Sequence, residues 1–219
     1  SFCPPSVSTN TSILQSNYHQ RDMTATVEIP TSMTAAKIHT IGGGHDVCKA
    51  EQISVETAVP VPDPGPGEVL IKVHAAAINP VDWKLLGGVL PGTKAGGGFG
   101  LDVCGTVVKL GDDGSSINIG DVVYADIIKT GSGSMAEYCR WQAVAAHVKP
   151  NNITVPEAAS LPLVGLTALQ GLVTQGGMKD GDKGLIFGGT SGVGSLAIQM
   201  AKVLGASEVY ATGSSVEQI

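Results

Sequence analysis

A glycine-rich turn between an apolar run and an amphipathic segment is the pattern in this chain with the clearest chemistry. Residues 185–187 are apolar, residues 188–194 contain four glycines, and residues 195–205 have the amphipathic pattern of a helix. This strand–turn–helix order holds a dinucleotide pyrophosphate on a helix N-terminus. A plain strand–helix turn is the alternative interpretation. The predicted cofactor-binding residues of the turn are Gly189, Thr190, Ser191, Gly192, Val193 and Gly194.

Three glycines of this turn have an expected purpose. Gly189 is predicted to allow the tight turn, and Gly192 and Gly194 to let backbone and helix approach without a Cβ. Ser191 stands where the usual G-x-G-x-x-G pattern has its middle glycine.

The end of the next predicted strand bears on the choice of cofactor. NAD sites usually place a carboxylate there to accept from the ribose 2′-hydroxyl. This chain has Gly213, Ser214 and Ser215 instead. A 2′-phosphate would meet no repelling charge and could accept hydrogen bonds from both serines, so the pattern favours NADP(H). Ordinary turn serines are the alternative.

The elements that must position this turn fall into two parts. From residue 33 to 150, short strands alternate with Gly, Pro and Asp turns, and no long helix is indicated. This pattern is typical of an all-β barrel or sandwich. The predicted strands are 35–40, 52–60, 68–77, 103–110, 122–128 and 136–147, the last being one bent strand or a pair.

After Pro150 the pattern changes to alternating helices and strands. Helices are predicted at 155–160, 163–175 and 195–204, and strands at 183–187 and 208–212. Such alternation indicates a parallel α/β sheet, of which a doubly wound fold needs several units. The predicted fold class is therefore α/β with an all-β part.

Composition excludes several classes of protein. The chain has 219 residues, 42% hydrophobic residues, 15% charged residues and a net charge of −6. No run of Lys and Arg occurs, which argues against nucleic acid and anionic membranes as partners. The longest apolar runs are too short to span a bilayer. The four cysteines lack metal-ligand spacing and are expected to be reduced, so no metal site is predicted.

Residues 1–32 are predicted to be a disordered leader. Residues 1–22 are polar and lack hydrophobic periodicity, while Met23 is a plausible start. We interpret residues 1–22 as upstream translated sequence or a disordered leader, with a remnant organellar presequence as the alternative. The expected location is cytoplasmic, or a plastid or mitochondrion if the alternative holds.

Seven motifs in order resemble those of the medium-chain dehydrogenase/reductase superfamily, specifically its zinc-independent quinone oxidoreductase and alkenal reductase branch. Any one of them would be weak evidence, whereas the ordered set is specific. The motifs lie at residues 67–73, 78–84, 100–107, 120–124, 134–138, 161–168 and 185–194.

The resemblance implies a GroES-like β-barrel domain at 33–150 and an incomplete Rossmann domain at 151–219. It places the active site in the cleft between the two domains. In this family the rest of the chain completes the Rossmann sheet. We therefore expect residues 1–219 alone to be inactive, and a homodimer of the full-length form is left open.

The resemblance also implies roles for three side chains. It places Asn79 beside the nicotinamide and the substrate, and Lys84 near the ribose and the acceptor. A cation at Lys84 could stabilise negative charge on the acceptor oxygen; a solvated surface lysine is the alternative. It also implies that Thr167 contacts the nicotinamide amide or the phosphate region. The alternative for Thr167 is a hydroxyl bonded within its own helix.

Zinc-dependent relatives place a cysteine ligand at the position of Asn79 and a His-Glu pair at Leu101 and Asp102. The implied function is thus zinc-independent hydride transfer from NADPH to a small-molecule quinone or α,β-unsaturated carbonyl. A non-catalytic structural or assembly subunit that kept the fold is the alternative, since fold does not dictate function.

Overall fold

The computed structural model describes residues 28–44, 49–89, 91, 93–112, 116–128 and 132–214. The predicted leader at 1–32 lies outside the described residues except for its last five. Within those five, Ile29 packs against the cluster around Met33, and the first strand begins at Ser32.

Seven strands form the first part of the chain. They are β1 (Ser32–Ile38), β2 (Ile53–Pro60), β3 (Glu68–Ala77), β4 (Asp102–Leu110), β5 (Val122–Asp126), β6 (Tyr138–Gln142) and β7 (His147–Val148). Strands β1 and β2 form an antiparallel pair, and the others form an antiparallel sheet in the order β6-β3-β4-β5-β7. The predicted segment 136–147 is thus a pair of strands, separated by a 3₁₀ turn at Ala143–Ala145.

Strand β3 shows why this part holds together. Successive side chains of a strand point to opposite faces. Val69 and Ile71 enter one buried cluster with Val123 and Cys139 on neighbouring strands, while Leu70 enters the Met33 cluster on the other face. Strand β3, an interior strand of the sheet, is therefore buried on both sides at these positions.

A short helix that the sequence pattern did not indicate follows β3. Helix α1 (Pro80–Leu86) begins directly after Asn79, and Pro80 occupies its first turn, where a missing N–H is tolerated. The Asn79 N–H donates to Asp82 Oδ2 at 2.6 Å, so Asp82 stabilises the start of its own helix.

The remaining elements form a parallel βαβ unit with helices before it. They are α2 (Val155–Ala159), α3 (Pro162–Leu169), a π-helical turn at Gln170–Gln175, β8 (Lys183–Ile186), α4 (Gly192–Val203) and β9 (Glu208–Ala211). Strands β8 and β9 pair in parallel, with Lys183 opposite Glu208. The predicted helix 163–175 is α3 together with its π-helical continuation, and the α/β class with an all-β part is confirmed.

The βαβ unit exposes several large apolar side chains. Leu185 and Phe187, on or next to β8, and Tyr210 on β9 are all more than half exposed. Among the described residues, no helix is long and apolar enough to cross a membrane.

Candidate active site

The glycine turn between β8 and α4 is tied to the end of β9 by two hydrogen bonds. The Gly188 N–H donates to Thr212 Oγ1 at 3.0 Å, and the Gly189 N–H donates to the Thr212 carbonyl at 2.8 Å. The left-handed backbone conformation lies at Gly188, whose φ is +70°. The expectation that Gly189 allows the tight turn was therefore wrong by one residue, because Gly188 makes the turn.

Gly189 and Gly194 are needed for close packing instead. A Cβ at Gly189 would lie 2.7 Å from the Ala211 Cβ, and one at Gly194 would lie 2.1 Å from the Gly188 carbonyl oxygen. Gly192 differs, because its Cβ would lie 3.5 Å from Val164 Cγ1, an ordinary contact. The protein's own packing thus explains Gly189 and Gly194, whereas a Cβ at Gly192 would meet only this one ordinary contact.

Ser191 is the N-cap of α4. Its Oγ accepts from the Gly194 N–H at 3.0 Å, which satisfies one of the donors that a helix start leaves without an intrahelical partner. The N–H groups of Gly192 and Val193 lie in the same first turn, which holds no acidic residue. A phosphate fits this position, because it would meet backbone donors and the positive end of the helix dipole.

The other predicted cofactor residues border this turn. Thr190 and Ser214 are exposed, Gly213 is half-buried, and Ser215 lies outside the described residues. Their contacts with a cofactor stay a prediction.

Asn79 lies in a buried carboxylate cluster at the start of α1. It is 6% exposed, and its Nδ2 donates to Asp102 Oδ2 at 2.8 Å. Asp82 accepts from the Asn79 backbone, as described above. The backbone N–H of Asn79 is thus held by Asp82, and its side-chain amide is held by Asp102.

Asp102 is completely buried and has two partners from different parts of the chain. Besides Asn79, it accepts from the Leu163 N–H at 3.0 Å through Oδ1. Burial raises the pKa of Asp102 from 3.8 to about 7, the two hydrogen bonds oppose that rise, and the nearby carboxylates Asp126 and Asp82 add to it. Burial also raises the pKa values of Asp82 and Asp126.

Lys84 lies on the same helix as Asp82, half-buried, with Nζ 5.6 Å from the centroid of the Trp83 ring. A cation at this distance from an indole is attracted to the face of the ring. The ammonium group is therefore held next to an aromatic surface, and its role toward an acceptor stays a prediction.

Thr167 has the hydrogen bond that the alternative interpretation anticipated. Its hydroxyl donates to the Leu163 carbonyl at 2.7 Å, within its own helix, and the residue is exposed. A hydroxyl used in this way keeps its lone pairs for a second partner.

Helix α3 connects the two groups of predicted residues. At its start, the Leu163 N–H binds Asp102, which also binds Asn79. The next residue, Val164, lies close to the glycine turn, 3.5 Å from where a Cβ added at Gly192 would be. Asn79 is therefore linked to the glycine turn through Asp102 and the start of α3.

Two cavities flank α1. A cavity of about 400 Å³ is bordered by Leu85 and the glycine-rich loop at residues 96–98. A larger one of about 910 Å³ lies between the β part and helices α3 and α4, where Val81, Trp141, Thr167 and others line it. Neither cavity has Asn79 or Lys84 in its lining. The cavities therefore do not by themselves locate the reacting groups.

Two residues of the site were missed by the sequence analysis. Thr212 ties the glycine turn to β9, and Asp102 joins Asn79 to α3. The signal for Asp102 was a single carboxylate at the start of a mostly apolar strand. In the described part of the chain, no group of three or more His, Cys, Asp and Glu side chains is placed to hold a metal ion.

Comparison with known families defines the class of the β part. Residues 65–151 match the model of the alcohol dehydrogenase GroES-like domain. This match covers β3 to β7, the strands of the antiparallel sheet, and confirms the predicted GroES-like fold.

Comparison with individual proteins extends the match beyond that domain. The chain is 40% identical to the 2-methylene-furan-3-one reductase of Solanum lycopersicum over 203 residues, which cover 89% of this chain and 50% of that protein. It is also 40% identical to the chloroplastic NADPH-dependent alkenal/one oxidoreductase of Arabidopsis thaliana, covering 89% and 51%. The chain thus spans about half the length of these relatives.

A solved structure agrees with the sequence relatives. A mycobacterial protein complexed with NADPH matches with a TM-score of 0.72 and 32% identity, over 85% of this chain and 55% of that one. The predicted resemblance to the quinone and alkenal oxidoreductases of the medium-chain dehydrogenase/reductase superfamily is confirmed by these matches.

Proposed function

We propose that the protein is an NADPH-dependent, zinc-independent oxidoreductase that transfers hydride to a quinone or an α,β-unsaturated carbonyl compound. The glycine turn before α4 carries the proposal. Its packing requires Gly189 and Gly194, and the first turn of α4 presents the N–H groups of Gly192 and Val193 with no acidic residue beside them. A cofactor phosphate is the group that such a cradle suits.

The chain's own residues would hold the cofactor at three places. The N–H groups of Gly192 and Val193 would donate to the pyrophosphate. Ser214 and Ser215 would donate to a 2′-phosphate, which meets no carboxylate at residues 211–215. Thr167 would contact the nicotinamide amide or the phosphate region. Bound NADPH supplies the hydride, and the protein supplies positioning and electrostatics.

The acceptor side of the proposal rests on Asn79 and Lys84. Hydride addition to a conjugated carbonyl develops negative charge on its oxygen, which a nearby ammonium group stabilises. Lys84 is the candidate for this role, and the Asn79 amide is the candidate for orienting the substrate. The names of the two plant relatives, an alkenal/one oxidoreductase and a reductase of a methylene-furanone, support conjugated carbonyls as the acceptor class.

The deciding experiment uses the full-length protein. NADPH and NADH are titrated by fluorescence, and NADPH consumption is then followed with a 2-alkenal and with a simple quinone. We expect tighter binding of NADPH than of NADH and turnover with at least one acceptor. Absence of NADPH binding would contradict the proposal, and binding without turnover would favour a non-catalytic subunit.

Zinc independence has its own test. The purified full-length protein is dialysed against a strong chelator, its metal content is measured, and turnover is compared before and after. Unchanged turnover is expected, because hydride addition to an already electrophilic acceptor needs no metal to ionise an alcohol. A loss that added zinc restores would show that the reaction uses the metal.

Location and assembly follow from the same resemblance. We propose a cytoplasmic enzyme, with an organelle, either a plastid or a mitochondrion, as the alternative; the Arabidopsis relative is named chloroplastic. Imaging of a fluorescent fusion that carries the complete N-terminus distinguishes the two locations. A homodimer of the full-length form is tested by its sedimentation.

A further inference from the structure

Asp102 is a buried charge that the proposed chemistry does not itself use. It is the first residue of β4, 0% exposed, and both of its oxygens accept hydrogen bonds. The two donors are a side chain, Asn79 Nδ2, and a backbone group, the Leu163 N–H. A buried carboxylate costs free energy unless it is hydrogen-bonded, so this site is stable only with both donors in place.

The first hydrogen bond selects one orientation of the Asn79 amide. An asparagine side chain has an oxygen that accepts and a nitrogen that donates. With Nδ2 held on Asp102 Oδ2, the Asn79 Oδ1 points away from Asp102. When Asp102 is ionised, rotation of the amide by half a turn would set Oδ1 against the carboxylate, two acceptors with no proton between them. Asp102 therefore decides which atom of Asn79 is available to other groups.

The second hydrogen bond fixes a helix. Leu163 is in the first turn of α3, and its neighbour Val164 lies close to the glycine turn, with Cγ1 3.5 Å from the position of a Cβ added at Gly192. A shift of α3 relative to β4 would break the bond from the Leu163 N–H and would move Val164 away from the glycine turn. The same carboxylate thus fixes the amide on one side and the cofactor turn, through α3, on the other.

We propose that Asp102 is a positioning residue for the hydride transfer: it orients the Asn79 amide and sets the distance between that amide and the glycine turn. The proposal rests on the proposed function. Asp102 lies two contacts away from the turn and acts through Asn79 and α3, so it is not itself a catalytic residue.

The test compares two single-charge variants in the full-length protein. Asp102→Asn has nearly the same shape, but its amide can accept from only one of the two donors and presents N–H groups to the other. Asp126→Asn is the matched control. It removes a charge from the same cluster, whereas Asp126 accepts from the Ile128 N–H and not from Asn79 or Leu163.

Three quantities separate positioning from loss of folded protein. They are kcat per NADPH-binding site, the KM for a 2-alkenal, and the deuterium isotope effect with NADPH labelled on the transferred position. We expect Asp102→Asn to lower kcat on the order of 100-fold, as a displacement of about 1 Å does. The isotope effect should rise because hydride transfer becomes fully rate-limiting. The NADPH affinity of Asp102→Asn should differ from that of the wild-type protein by less than about threefold, and so should the kcat of Asp126→Asn.

A conservative variant keeps the test decisive if Asp102→Asn does not fold. Asp102→Glu retains both acceptor oxygens but moves them by about one C–C bond, roughly 1.5 Å. It should fold, and we expect a kcat between those of the wild-type protein and Asp102→Asn. An unchanged kcat in either folded Asp102 variant, or an equal loss in Asp126→Asn, would overturn the proposal. A wild-type protein that does not oxidise NADPH would instead refute the proposed function, and this proposal with it.

Discussion

Asp102 at the start of β4 accepts a hydrogen bond from the Leu163 N–H in α3, 61 residues further along the chain, at 3.0 Å. The contact joins the GroES-like part to the helices that precede the glycine turn. Because Asp102 is fully buried, its charge state affects stability as well as geometry.

Asp102 should contribute to the pH dependence of the free energy of unfolding. Its pKa is 3.8 unperturbed and about 7 in the folded protein, where it is raised by burial. Between these two pH values the folded chain holds a proton that the unfolded chain releases, so this group lowers the free energy of unfolding as pH rises. Above about pH 7 the contribution of Asp102 to the free energy of unfolding no longer changes with pH.

The Asp102→Asn variant has no titrating group at this position, so its free energy of unfolding should lack this part of the pH dependence. Asp82 and Asp126, whose pKa values are also raised by burial, remain in both proteins and give a shared background. Urea unfolding at several pH values measures the difference. We expect the variant to gain stability relative to wild type as pH rises from 3.8 to about 7. Parallel curves would show that Asp102 ionises normally.

Two glycines of the cofactor turn should respond differently to alanine. A Cβ at Gly194 would overlap the Gly188 carbonyl oxygen at 2.1 Å, which forces the backbone to move. Gly194→Ala should therefore lower the free energy of unfolding by about 2 kcal/mol, in the range of overpacked sites. Gly192→Ala meets only an ordinary contact and should stay within about 0.5 kcal/mol of wild type.

The same Gly192→Ala variant tests the cofactor site. If the pyrophosphate binds at the first turn of α4 beside Gly192, the added methyl group should weaken NADPH binding at least about tenfold while the melting temperature is unchanged. Fluorescence titration and thermal melting on one sample measure both effects. Wild-type affinity in this variant would exclude the space beside Gly192 as the phosphate site.

Lys84→Met should slow the chemical step. The substitution keeps an apolar stem against Trp83 but removes the ammonium group that we assign to charge stabilisation on the acceptor oxygen. Loss of such a group should lower kcat by about 10- to 100-fold with little change in NADPH affinity. Lys72→Met, at an exposed position of β3 to which no role is assigned, is the control. Equal activity of the two variants would show that Lys84 has no more effect on the chemical step than an exposed surface lysine has.

Ser214→Asp should reduce the preference for NADPH. A carboxylate there would face the 2′-phosphate, and two like charges about 4 Å apart repel by about 1 kcal/mol even in bulk water. The ratio of NADPH to NADH affinity should fall at least about fivefold, since 1 kcal/mol corresponds to that factor. Ser214→Ala, which adds no charge, should change the ratio less. The same ratio of NADPH to NADH affinity in both variants would show that the 2′-phosphate does not bind next to Ser214.

The glycine turn could be predicted from the sequence because its signal is local. The strand, the turn and the helix follow one another within 21 residues, from Lys183 to Val203, and Ser191 caps the helix from the adjacent position. Even so, composition could not show which glycine bends the chain. Gly188 and Gly189 are identical residues, and only the backbone conformation distinguishes the turn from the close packing.

The contacts of Asp102 could not be predicted in the same way. Its partners lie 23 and 61 residues away, and no spacing rule connects positions that distant. Helix α1 was missed for a related reason, since its seven residues make barely two turns and give no clear period. Long-range pairs and very short helices depend on the packed sheet, which one sequence does not encode locally.

Pro162 gives the contact between Asp102 and Leu163 a further property. Proline has no backbone N–H, and Pro162 is the residue directly before Leu163. If α3 rotated by one residue, about 100° about its axis, the carboxylate would face a position that cannot donate. The order Pro162-Leu163 therefore excludes the setting of the helix in which Pro162 replaces Leu163, because the buried carboxylate would then lose its backbone donor.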